Sequence, residues 1–135
     1  SDTEALHNLA AKYHLENNIV WMGIRNDVPR LLSAGDIYVQ PSRSEGIGLS
    51  IMEASLASLP VIATNVGGIP EVALNNVNAH LVESEKPAKM AEAIQSFYED
   101  PKLRVSFGQK GRKVSLEKFC LNRQVKKLIA DYYKL

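Results

Sequence analysis

The chain has 135 residues, 45% of them hydrophobic and 23% charged, room for one compact domain that buries about two thirds of its unfolded surface and too apolar for a disordered tail. No apolar run approaches the ~18–20 residues of a membrane span, Ser1-Asp2-Thr3 starts no signal-peptide pattern, and the single Cys120 makes no internal disulfide, which together point to a soluble protein of a reducing, cytoplasmic compartment. Sixteen basic and fifteen acidic residues leave a formal charge of +1, which excludes a nucleic-acid binder by charge, yet the total hides a split. Residues 1–100 hold six basic and thirteen acidic residues, while residues 101–135 hold ten basic and two acidic.

Taken in chain order, Asp2 or Thr3 caps a helix with Leu6, Leu9, Ala10 and Tyr13 at helical spacing, closed by Asn17-Asn18. Ile19-Val20-Trp21-Met22, an unbroken apolar run ending at Gly23, predicts a strand buried on both faces. Asp27 then caps a short helix with Pro29 in its first turn and Leu31 and Leu32 inward, stopped near Gly35. Strands are predicted at 37–40, 61–63 and 79–82, with a helix from Leu49 to Ala57 between the first two. Strands alternating with helices imply α/β layers and parallel pairing. From Pro87 the pattern is wholly helical: Met90, Ile94, Phe97 and Tyr98 share a face, Asp100-Pro101 restarts a helix through Leu103, Phe107 and Val114, and a last helix from about Asn122 carries Val125, Leu128, Ile129, Tyr132 and Tyr133. One partial domain over 1–135 with a helical tail from about 87 is expected.

The stretch with chemical content runs from Pro41 to Ala54, where a strand ends in a glycine-bearing loop that opens directly into a helix. Unpaired N–H groups at a helix start attract an anion, and glycines at 46 and 48 allow close backbone approach. Ligands of open α/β sheets sit beyond the carboxyl ends of the strands, which is where this loop falls. Glu45 and Glu53 flank that cradle. Carboxylates repel phosphate but suit paired hydroxyls, each hydrogen bond to a charged group contributing about 1.5–3 kcal/mol. An anion between two diols describes a nucleotide-sugar. For an arbitrary pair of glutamates at this spacing, a solvated surface is the ordinary reading.

The neighbouring residues reverse that preference. Pro41-Ser42, Glu45-Gly46-Ile47-Gly48-Leu49, Glu53-Ala54, Pro60-Val61-Ile62-Ala63-Thr64 and Gly67-Gly68-Ile69-Pro70-Glu71 resemble, in order and spacing, the retaining glycosyltransferases of GT-B architecture, family 4 (glycosyl transferases group 1), whose two glutamates form an E-x7-E motif. The resemblance extends more faintly from Ile19 to Tyr132. It implies the C-terminal donor-binding domain of a GT-B fold, N-terminally truncated: an incomplete Rossmann-like parallel sheet of about four strands with flanking helices. Sugar transfer from a nucleotide-sugar to a hydroxyl acceptor is implied, with retained configuration, no metal and no other cofactor, in polysaccharide, glycolipid or glycoconjugate synthesis.

By the same resemblance Glu45 contacts donor hexose hydroxyls beside the reacting carbon, Gly46, Ile47, Gly48 and Leu49 face the sugar and diphosphate, Glu53 clamps the ribose, and Gly23 to Arg25 line the nucleobase. Ile47 stands where an aromatic is commoner, and Ser58 and Ala79 where glycine is usual. The acceptor domain, two strands of the donor domain and an Arg and a Lys that neutralise the diphosphate are not represented, so the chain alone is expected to bind nucleotide weakly and to turn nothing over. In the family's strand order 3-2-1-4-5-6 the two unrepresented strands lie between 19–22 and 37–40. Either 19–22 then pairs directly with 37–40, or an exposed strand edge recruits a second copy of the chain.

Two other readings stay open: a nucleotide-sugar 2-epimerase of related architecture, and a non-catalytic nucleotide-binding or assembly module. The basic residues of 101–135 either draw the protein to the anionic inner membrane surface or form a solvated face, and their dispersal favours the latter. His7, His14 and His80 lack metal-ligand spacing and read as structural, Cys120 as a packed hydrophobe. Gly67-Gly68 forms a tight turn or approaches a ligand, Glu71 caps or braces that turn, and Tyr132-Tyr133 packs.

Overall fold

The computed structural model describes residues 2–132. Its elements are α1 (Asp2–Lys12), α2 (Val28–Ser33), β1 (Tyr38–Gln40), α3 (Leu49–Leu56), β2 (Val61–Thr64), α4 (Ile69–Val72), β3 (Ala79–Val82), α5 (Pro87–Glu99), α6 (Pro101–Phe119) and α7 (Leu121–Tyr132). The strands make one parallel sheet in the order β1-β2-β3, with Val39 opposite Ile62 and Ile62 opposite His80. Central β2 is buried at all four residues. Val61 and Ala63 point into a core with Ile51, Ala54, Ile69 and Val72, whereas Ile62 points the other way, onto Met90, Ala93, Phe97 and Phe107. A strand covered on both faces has no polar side to show, hence its unbroken apolar sequence.

The helical layers are tied down by specific backbone features. Asp100 caps α6 by accepting from the N–H groups of Lys102 and Leu103 at 2.9 and 3.0 Å, worth about 1 kcal/mol. Further along α6, a Cβ at Gly108 would lie 2.0 Å from the Ser58 carbonyl oxygen, so only glycine lets the helix rest on the turn before β2. Ser58 itself holds a left-handed backbone, φ +63, at a cost of about 1 kcal/mol. That conformation accounts for the glycine usual at this place.

Several expectations are corrected. Residues 19–22 form no strand and therefore do not pair with β1. No strand among the described residues lies beside them, and a lone strand cannot satisfy its own N–H and C=O groups; the sheet has three strands, not four. Val20, Trp21 and Met22 are exposed, and Trp21 stacks on His7 of α1 at 4.3 Å between ring centroids. Helix α1 forms but stops at Lys12, with His14 in the left-handed region at φ +56 instead of a stop at Asn17-Asn18. Of its apolar positions only Ala10 is buried, while Leu6, Leu9 and Tyr13 stay exposed. Asp27 precedes α2 without capping it, because its carboxylate takes two hydrogen bonds from the Arg25 guanidinium at 2.7 and 2.8 Å. On α5 the inward set is Met90, Ala93 and Phe97; Tyr98 is 75% exposed. The side chains of Leu128 and Tyr132, and all of Tyr133, lie outside the described residues.

His80 on β3 is wedged between the rings of Phe97 and Phe107, with centroids 4.9 and 5.2 Å away. Burial there lowers its pKa below the ordinary 6.5, because the charged imidazolium loses its hydration. The unfolded chain binds this proton more readily than the folded one, so stability is intact above pH 6.5 and falls as the pH drops from there through the lowered folded value. Melting temperatures at pH 7.5 and 5 are expected to differ more for the wild type than for His80→Leu; equal differences would exclude His80 as the source.

Candidate functional site

At the carboxyl end of the sheet, β1 runs into the loop 41–48 and β2 into the turn 65–68. Gly48 begins α3 at φ +77 with no side chain capping the helix. A Cβ there would press on Ile51 and Val72 at 3.3 and 3.4 Å, whereas one at Gly46 would meet nothing within 4 Å. Gly48 is therefore required by the fold. At Gly46 the space beside the backbone is open. The glycine pair of the next turn serves the loop: Gly68 N–H donates to the Gly46 carbonyl at 2.9 Å, and Cβ atoms at Gly67 and Gly68 would lie 1.9 Å from Glu45 O and 2.1 Å from Gly46 O. The backbone of the turn thus lies flat against the backbone of the loop. Thr64, at the end of β2, adds a hydroxyl hydrogen bond to the Ser42 carbonyl at 2.5 Å.

This framework fixes the Glu45 carboxylate. Its Oε2 accepts from Gln40 Nε2 at 2.5 Å and from Ser42 Oγ at 3.3 Å, and its Oε1 from the Gly46 N–H at 3.2 Å. A carboxylate has about four acceptor positions, so Oε1 keeps one for a further hydroxyl. Gln40 is oriented in turn by Tyr38, whose hydroxyl donates to Gln40 Oε1 at 2.8 Å. The Tyr38 pKa is raised, first by burial and further by the charges of Glu45 and Glu53, with the nearby Ser50 hydroxyl opposing the rise. The phenol stays protonated and remains a donor at neutral pH. Glu53, on the exposed side of α3, has no hydrogen bond or ion pair among the described residues, so both of its oxygens are open. It borders a groove of about 360 Å³ with Leu49, Met52, Leu56 and Phe119. A larger groove of about 480 Å³ lies between Pro41, Thr64 and the start of α5, and neither Glu45 nor Glu53 lines it.

A family model described as glycosyl transferases group 1 matches residues 1–114. The chain belongs to that family. Among its relatives, N-acetyl-alpha-D-glucosaminyl L-malate synthase of Bacillus anthracis is 29% identical over 93% of this chain and 33% of its own length, and the putative glycosyltransferase EpsD of Bacillus subtilis is 32% identical over 93% and 32%. The structure of Anabaena Alr3699/HepE in complex with UDP-glucose superposes with a TM-score of 0.87 at 26% identity, covering 96% of this chain and 36% of that one. The chain thus spans about a third of the length of these relatives. Its three parallel strands and flanking helices are those of the C-terminal domain in GT-B glycosyltransferases.

Of the residues singled out in this group 1 chain, the structure joins Glu45, Gly46, Ile47, Gly48 and Leu49 with Glu53 on one loop-helix unit, Ile47 and Leu49 exposed at 61% and 67%. Among the described residues no hydrogen bond or ion pair links Gly23 or Arg25 to that unit, and the Arg25 guanidinium pairs with Asp27 at 2.7 Å. Arg43, the basic residue of the loop, faces Glu85 at 3.5 Å. Glu71 is exposed, and its side chain makes no hydrogen bond or ion pair among the described residues. Sequence reasoning missed Tyr38 and Gln40, whose polar groups inside an apolar strand were the available signal. No helix among the described residues is long and apolar enough to cross a membrane.

Proposed function

We propose that this chain is the donor-binding part of a glycosyltransferase that moves a sugar from a nucleotide-sugar to an acceptor hydroxyl with retention, in polysaccharide, glycolipid or glycoconjugate synthesis. One observation carries the reading: the Glu45 carboxylate is anchored on three sides at the strand ends, yet keeps an acceptor position beside the uncapped start of α3. Glu45 takes a hexose hydroxyl and Glu53 the paired hydroxyls of the ribose. The N–H groups of Gly46 to Leu49 meet the diphosphate between them, without a metal ion. The structure of HepE in complex with UDP-glucose, part of which superposes on this chain, supports this assignment.

In this reading the acceptor is held by a domain outside these 135 residues, and the only help for the diphosphate here is the helix start, about 0.3–2 kcal/mol per interaction. Saturation-transfer NMR on the 135-residue chain is expected to give UDP-glucose a Kd in the millimolar range, about −4 kcal/mol, with no sugar transferred or hydrolysed. Glu45→Gln weakens UDP-glucose several-fold and leaves UDP unchanged. Micromolar affinity or turnover would contradict the incomplete site. Absence of any binding near about 10 mM, or equal losses for both ligands in Glu45→Gln, would overturn the donor assignment.

A further inference from the structure

We propose that Gln40 is the positioning residue of this site, and that Tyr38 holds it so that β1 sets the orientation of the Glu45 carboxylate. The inference rests on the donor-binding reading of Glu45 and adds to it the group that aims it. The argument is one of hydrogen-bond direction. An amide side chain has a donor end and an acceptor end that differ little in shape, so its orientation is decided by its partners. The Tyr38 hydroxyl donates to Gln40 Oε1 at 2.8 Å, which leaves Nε2 to donate to Glu45 Oε2 at 2.5 Å.

Tyr38 gives its one proton to Gln40 Oε1, so the direction of the next bond is fixed from the strand side. Both donors in the row Tyr38, Gln40 therefore point toward Glu45. Glu45 ends the row because an ionised carboxylate only accepts. Tyr38 and Gln40 stand two residues apart on β1 and so share one face of the strand, and both are half-buried. The row thus ties the loop that bears Glu45 to β1 and occupies Oε2, leaving Oε1, which among the described residues accepts only from the Gly46 N–H, for a further donor. Short charge-assisted bonds of this kind are the stronger ones in proteins.

Gln40→Met keeps the side-chain volume and removes both hydrogen-bonding ends; Tyr38→Phe keeps the ring and removes the donor. In the ligand-free chain, three-bond couplings of the Glu45 side chain are expected to report one rotamer in the wild type, averaging in Gln40→Met and partial averaging in Tyr38→Phe, with backbone amide spectra otherwise unchanged. A single wild-type rotamer in Gln40→Met would overturn the proposal. In titrations Gln40→Met weakens UDP-glucose several-fold, no more than Glu45→Gln does, because Glu45 is no longer held in one orientation, and leaves UDP within about twofold. Equal losses for UDP and UDP-glucose would mean that Gln40 only supports the fold, which also overturns it. Glu45→Gln separates the two claims. If that variant discriminates the ligands and Gln40→Met does not, the row fails; if Glu45→Gln does not discriminate them, the donor reading fails, and the couplings still decide whether Gln40 orients Glu45.

Discussion

Gly67→Ala is expected to lower the unfolding free energy by about 3 kcal/mol, an added Cβ in a packed contact costing about 1–3 kcal/mol and a left-handed non-glycine residue about 1–2 kcal/mol. The new Cβ would lie 1.9 Å from the Glu45 carbonyl oxygen, and the residue holds φ +53. Backbone, not a flexible side chain, is what it meets, so the loop 45–48 must move away from the turn. The Gly68 N–H to Gly46 carbonyl hydrogen bond is lost with that movement, and the Glu45 carboxylate with it. Gly46→Ala is the control, since its Cβ meets nothing within 4 Å; its stability is expected within about 0.5 kcal/mol of wild type. Urea denaturation of the two variants checks the contrast. A Gly67→Ala midpoint equal to wild type would mean that the glycine pair does not support the loop.

Phe97→Ala removes the largest fully buried side chain among the described residues. The expected cost is about 3–5 kcal/mol, the transfer free energy of the ring plus the cavity it leaves. Phe97 closes the second core layer: it packs with Ile62, Met90, Ala93 and Phe107 and stacks on His80 at 4.9 Å and edge-on against Phe107 at 5.1 Å. A small domain has about 5–15 kcal/mol in all, so the variant unfolds well below the wild-type temperature or fails to fold. Tyr98→Ala, one residue on and 75% exposed, is expected to shift stability by less than about 1 kcal/mol. Similar losses for both variants in calorimetric melts would contradict the assigned inward face of α5.

The comparison of 97 and 98 shows where reading the chain alone lost precision. Both aromatics fall near one helical face, and only the position of α6 determines which of them meets β3. Strands with β-branched, apolar sequences were legible wherever both faces are covered, as at Val61 to Thr64. Residues 19–22 carry the same local signal, yet a strand exists only through a neighbour's hydrogen bonds, and none is beside them. Asp27 and Asp100 make the same point for helix starts. Both precede a proline, but Asp27 has an arginine two residues back and spends its carboxylate there.

What the sequence by itself determined is the unit of chemistry. The order and spacing of Glu45, the glycines at 46 and 48, and Glu53 place two carboxylates around a helix start, because loop length and helical pitch are local quantities. Parallel α/β layering followed from the same kind of local pattern. Tertiary structure alone decided how Glu45 is aimed. Gln40 and Ser42 reach it across the end of the strand, Tyr38 orders Gln40, and the backbone of Gly67 and Gly68 presses the loop into place from the next strand's turn. That last contact arises from β1 and β2 lying side by side in register, and pairing between strands 20 residues apart follows from no local rule.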